Sequence, residues 1–137
     1  DLINNLKIRK YCHLEIKFID HKDVSLFYSA SDIVVLPYRK IYQSGVLMMS
    51  LSYKKPVVVS DLPSFKEVVE DKKTAVFFSA ENSSSLAGAV ILLLNDEKLL
   101  VDIKKNAFDL MQEKFSWTHI GQLTSNAYDK INYFYKK

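Results

Sequence analysis

DIVVLPYRKIYQSGVLMMSLSYKKPVVVS, residues 32–60, decides the fold. It holds two runs rich in β-branched residues, 32–37 (DIVVLP) and 56–60 (PVVVS), with a helical pattern over 45–53 between them. Continuous apolar runs, as opposed to alternating ones, mark strands covered on both faces, the condition of a parallel sheet. A strand, a helix and a second strand within roughly 30 residues form a β-α-β unit.

The same alternation extends both ways. Upstream, 14–19 (LEIKFI) switches between apolar and polar residues and reads as a strand buried on one face. Residues 1–13 read as a helix with Leu2, Ile3, Leu6 and Ile8 as its apolar positions, and 23–31 as a short helix carrying Val24, Phe27 and Tyr28. Downstream come a helical turn over 63–69, a strand over 75–78 (AVFF), and helices over 85–94, 97–114 and 117–135, with Ser116 placed to cap the last one. The expected class is α/β, a parallel sheet with flanking helices. Ligands of such sheets bind outside the carboxyl ends of the strands, which singles out three loops: 20–23, 38–45 and 61–64.

Composition excludes several classes. Hydrophobic residues make up 48% and charged residues 26%, as in an ordinary globular domain. The net charge of +3 is spread over scattered lysine pairs, which argues against nucleic acid and leaves only a peripheral contact with an anionic membrane surface. A single cysteine, Cys12, makes no internal disulfide and favours a reducing, cytoplasmic compartment. The longest apolar stretch, 87–94, is too short to span a bilayer, and no leader pattern opens the chain. His13, His21 and His119 have no metal-ligand spacing. Cys12 beside His13 could suggest a nucleophile and its base, but neighbours in sequence on a helix point in different directions.

The middle loop is the richest in chemistry. Gln43, Ser44 and Gly45 immediately precede a helix that begins Val46-Leu47. Free N–H groups in a first helical turn, at the positive end of the dipole, attract phosphate. Gly45 is one of only three glycines and would let a ligand approach the backbone closely. Gln43 offers both a donor and an acceptor to sugar hydroxyls. Taken alone, Ser-Gly before a helix more often marks a plain cap than a ligand site.

The longer string, 32–69, resembles the donor-binding core of the group 1 (family 4) glycosyltransferases, and the resemblance runs from about Lys17 to Trp117. It takes in IKFID and the segment 27–32 (FYSASD) upstream, and Phe115-Ser116-Trp117 downstream. It implies the C-terminal, Rossmann-like half of a two-domain GT-B enzyme, with residues 1–137 a partial donor-binding domain that lacks the first strands. The implied activity is transfer of a hexose from a nucleoside diphosphate sugar to a saccharide or lipid-linked acceptor, with retention, without metal and with no cofactor beyond the donor. Gln43, Ser44, Gly45, Val46 and Leu47 map onto the loop that holds the donor sugar and distal phosphate, and Asp20 and His21 onto the loop near the base. No catalytic residue is assigned within the chain, and the partner implied is the N-terminal part of the same enzyme.

Departures from the pattern are informative. Two glutamates frequent in the family fall on Ile41 and Met49, and neither side chain accepts a hydrogen bond. Lys54 stands where a glycine is usual, as does Asp20. Glu67 matches the family's glutamate before two apolar residues, reading either as a brace for the loop after Asp61 or as an exposed helix carboxylate. If 14–19 and 33–36 are the third and fourth strands of a doubly wound sheet, the two strands normally between them are not in the chain. The 33–36 strand should then have an unpaired edge, and the chain alone should be inactive. Tyr128, Tyr133, Phe134 and Tyr135 follow helical spacing and are expected in a core or against the N-terminal half. Two other readings compete. One is a glycosyltransferase-like domain that binds a sugar nucleotide or a protein without catalysis. The other is a receiver-like phosphorylation domain, in which a Lys-Pro pair follows a strand, whereas Lys55-Pro56 precedes one.

Overall fold

A computed structural model of the chain describes residues 2–135, with the side chains of 2–131. Three strands, β1 (Val34–Leu36), β2 (Val57–Ser60) and β3 (Val76–Phe78), form a parallel sheet in the order β1-β2-β3. Val34 lies opposite Val57, and Val58 opposite Val76. All four β2 residues are buried, as a central strand with helices on both faces demands.

The two-residue period of β2 divides the core. Val57 and Val59 enter one cluster with Leu47 and Leu51 of helix α3 (Gly45–Ser52), Phe65 and Ala107. Val58 points the other way, into a cluster with Ala89 and Leu93 of α5 (Ser83–Asn95) and Ile103. Helix α6 (Glu97–Lys114) supplies Ile103 to one cluster and Ala107 to the other, one turn apart, and so ties the two together. Between β2 and β3 lies a single turn, α4 (Pro63–Lys66), with proline at its start where no N–H is needed.

Helix α3 ends through Lys54, whose φ of 55° is left-handed. The Lys54 N–H reaches Leu51 O at 2.9 Å and the Lys55 N–H reaches Ser50 O at 2.9 Å, closing the last turn. The glycine usual at this place would adopt that backbone freely, and lysine holds it under strain. The Lys54 ammonium lies 4.0 Å from the centre of the Phe108 ring on α6, a compensating cation–π contact.

Lys55 anchors the helix before the sheet. Its Nζ donates to Ser31 O at 2.8 Å, at the carboxyl end of α2 (His21–Ala30), where the helix dipole is negative. The Tyr28 and Tyr53 rings stack 4.7 Å apart and fasten the same helix to the end of α3.

Two expectations fail at the amino-terminal side. Residues 14–19 form no strand, and Ile16 and Phe18 are 90% and 79% exposed. An alternating sequence becomes a strand only where another strand accepts its hydrogen bonds, and none of the three described strands lies beside it. The helix expected over 1–13 is broken into α1 (Leu2–Asn5) and a 3-10 turn (Arg9–Tyr11), with Lys7 between them at φ 55°. Leu2, Leu6 and Ile8 stay exposed there, so no packed face offsets the cost of a longer helix.

β1 is covered less than a fully buried strand. It borders β2 alone, its other edge is unpaired among the described residues, and Val35 is 36% exposed. Helix α7 (Trp117–Tyr135) forms over the expected residues, but its described side chains, Tyr128 included, are exposed and join no core cluster. The side chains of Tyr133, Phe134 and Tyr135 lie outside the described residues.

Candidate functional site

The carboxyl ends of β1 and β2 open into one cleft. Its volume is about 330 Å³, with Tyr42, Gln43, Ser44, Gly45, Leu47 and Met48 on one wall. Ser64, Phe65, Glu67 and Val68 form the other, and Phe115 closes one side. Two of the three loops singled out from the sequence, 38–45 and 61–64, thus come together. The third does not: Asp20 and His21 open α2, and neither lines the cleft.

Serine hydroxyls from β2 and α4 grip the site loop. Ser60 is buried, and its Oγ donates to Tyr38 O at 2.7 Å and to Leu36 O at 3.3 Å. Ser64 Oγ donates to Ile41 O at 2.9 Å. The Tyr38 ring packs 6.1 Å from Phe65, so the root of the loop is fixed by the core beneath it. A polar loop held at two carbonyls by neighbours presents its free groups in one geometry.

Ser44 caps α3, its Oγ accepting from Leu47 N at 3.0 Å. The plain cap is therefore real, and the Leu47 N–H is occupied. The first two amides of the helix, on Gly45 and Val46, have no intrahelical acceptor by geometry. A Cβ added at Gly45 would meet nothing within 4 Å, so the space in front of this backbone is open. The Leu47 side chain is buried in the core, and Val46 lies outside the cleft lining.

Ile41 packs against the core, while Met49 is exposed and outside the cleft. Glu67 follows α4 as an exposed carboxylate, and among the described residues it makes no hydrogen bond or ion pair that would brace the loop after Asp61. Among the cleft-lining residues it is the sole charged side chain. Basic groups stand outside the lining. Lys40 Nζ lies 5.7 Å from the Tyr42 ring centre, and Arg39 Nε 3.9 Å from a Glu81 oxygen.

The clearest electrostatic pair is remote from the cleft. Lys17 donates to Glu15 at 2.8 Å, and with help from His13 it lowers the Glu15 carboxyl below its ordinary value. The Lys17 ammonium is raised by the same bond. His13 pairs with Glu15 at 2.9 Å and not with Cys12. Among the described residues, no three His, Cys, Asp or Glu side chains converge as a metal-ligand set, and no helix is long and apolar enough to cross a membrane.

Sequence reasoning missed Ser60 and Ser64, which look like ordinary polar residues until the loop carbonyls above them are seen. The cleft also draws in Glu67 and Phe115, which the family resemblance touched without placing them in one site.

The family profile described as Glycosyl transferases group 1 matches residues 1–110. The chain belongs to this family. It is 26% identical over 114 residues to an alpha-D-kanosaminyltransferase of Streptomyces kanamyceticus, covering 83% of this chain and 30% of the relative. Its fold superposes on sucrose-phosphate synthase of Thermosynechococcus elongatus with a TM-score of 0.83, at 21% identity over 95% of this chain and 32% of that one. It also superposes on Anabaena HepE in complex with UDP and glucose, with a TM-score of 0.82, at 19% identity over 93% of this chain and 34% of that one. The fold of this group 1 family member is thus the Rossmann-like parallel-sheet architecture of the GT-B glycosyltransferases. The chain spans about a third of the length of these proteins.

Proposed function

We propose that residues 1–137 are a partial C-terminal donor-binding domain of a glycosyltransferase. The enzyme would move a hexose from a nucleoside diphosphate sugar to a saccharide or lipid-linked acceptor, as in polysaccharide biosynthesis. The observation that carries this reading is the cleft at the carboxyl ends of β1 and β2, which opens on the unobstructed Gly45 backbone at the start of α3. A departing nucleoside diphosphate gathers negative charge, and preorganised N–H groups with a helix dipole stabilise that charge without reorganising. The Gly45 and Val46 amides supply such donors. Gln43 and Ser44 stand beside them for the sugar and distal phosphate, and the Leu47 turn sets their direction.

In this reading the donor charge is held by amides and basic side chains in place of a metal, the anomeric configuration is retained, and no cofactor beyond the donor takes part. Asp20 and His21 serve the base at the opening of α2. The acceptor and the remaining phosphate contacts come from the N-terminal part of the enzyme, so the chain alone is inactive. The protein works in the cytoplasm or on the cytoplasmic face of the membrane, as its lone cysteine suggests.

Thermal shift of the intact protein with UDP, GDP and ADP tests the proposal. A rise in Tm with one of the three is expected, because a ligand that binds the folded state stabilises it. No rise with any of them would refute donor binding. That outcome would favour the second reading, a non-catalytic binding domain, for which Ile41 in the core and Met49 outside the cleft already speak.

A further inference from the structure

We infer that Glu67 is the polar determinant of the sugar subsite and that it selects a neutral or amino hexose against a uronic acid. This rests on the donor-binding reading above. The cleft is near the lower end of small-ligand pockets, about 300–1,000 Å³, which suits one sugar ring better than a whole sugar nucleotide. Two of its hydroxyls are partly engaged: Ser64 donates its proton to the Ile41 carbonyl, while Ser44 accepts from the Leu47 N–H and keeps its own O–H to donate. The Gln43 amide, the Tyr42 hydroxyl and the Glu67 carboxylate keep their hydrogen-bonding capacity. Val68, Met48 and Phe115 supply apolar surface for the C–H face of a ring.

Charge assigns the groups to different parts of the ligand. Glu67 is the one charged residue of the lining, and among the described residues no cation pairs with it. An unneutralised carboxylate repels a phosphate or a second carboxylate and accepts hydrogen bonds from hydroxyl or ammonium groups. The diphosphate therefore belongs at the open amides of Gly45 and Val46, outside the Glu67 wall, and the ring belongs within. A ring bearing a carboxylate is disfavoured there; a plain or amino hexose is not.

The test is calorimetric binding to the intact protein, wild type and Glu67→Gln, using UDP, UDP-glucose, UDP-glucuronate, GDP, GDP-mannose and GDP-mannuronate. Glu67 is exposed, and glutamine keeps its shape, so the variant should fold; its melting curve checks this. The expected result is a hexose-to-uronate preference on the order of tenfold in the wild type, about 1.4 kcal/mol. Glu67→Gln should collapse that preference while the bare nucleotide still binds, at least as tightly as to the wild type, because a charge that repels phosphate is gone. A folded variant that binds the bare nucleotide and keeps the same preference overturns the assignment of Glu67 alone. A wild type that binds none of the six ligands, and not ADP either, overturns the donor-binding reading and this inference with it.

Discussion

Replacing Ser60 with alanine tests whether the site loop is held from beneath. Ser60 is buried at the end of β2, and its hydroxyl serves the Tyr38 carbonyl at 2.7 Å and the Leu36 carbonyl at 3.3 Å. Its removal forfeits a net hydrogen bond, about 0.5–1.5 kcal/mol, and leaves the Tyr38 carbonyl short of a partner, about 1–3 kcal/mol. A central figure is about 2 kcal/mol. The entropy of unfolding is about 2.1 cal/mol/K per residue, or roughly 0.29 kcal/mol/K for 137 residues, so Tm should fall by about 7 °C. Circular dichroism melts of the intact protein read this directly. Ser52→Ala is the control: its hydroxyl also donates to a carbonyl, Met48 O at 2.9 Å, but on the exposed face of α3, and its Tm should move by no more than about 2 °C. Hydrogen exchange over 38–45 should quicken in Ser60→Ala and not in Ser52→Ala. A Ser60→Ala melt indistinguishable from wild type, with unchanged exchange in that loop, would show that the loop does not depend on the serine.

Substitutions at two further positions probe backbone and opening. At Lys54, the left-handed φ of 55° predicts that Lys54→Val costs about 1–2 kcal/mol, whereas Lys54→Gly is near neutral because relief of strain offsets the lost Phe108 contact; urea midpoints separate the two. At Gly45, alanine meets no atom and should leave stability unchanged or raise it by up to about 1 kcal/mol. The same Cβ enters the ligand's space, so titration with the nucleotide sugar that binds wild type should show an affinity loss on the order of tenfold. Unaltered binding in a folded Gly45→Ala would place the phosphates elsewhere.

Most of the sheet was legible because its strands carry their own signature. PVVVS could only be a strand buried on both faces, and Val57, Val58 and Val59 do point alternately into the two core clusters. Helices α6 and α7 matched to the residue, because Asp96 and Ser116 are good caps; their side chains accept from Leu99 N and His119 N. The segment 14–19 misled because alternation describes which face of a strand is apolar, not whether a neighbouring strand exists to bond it. The loops that form the cleft followed from the rule that ligands gather at strand carboxyl ends. The hydroxyls that hold them did not, since a serine's partner is decided by tertiary geometry and Ser60 and Ser64 lie more than twenty residues from the carbonyls they serve.

The margin of β1 left unpaired among the described residues has a practical consequence. Val34 to Leu36 present peptide groups that a second extended segment could lengthen into a continuous ladder, and the exposed Ile16 and Phe18 elsewhere on the surface add apolar area. Concentrated solutions of this polypeptide should therefore be prone to edge-to-edge association. A lysine at Val35 would discourage that growth by putting a charge on the template while leaving the buried Val57–Val59 row untouched.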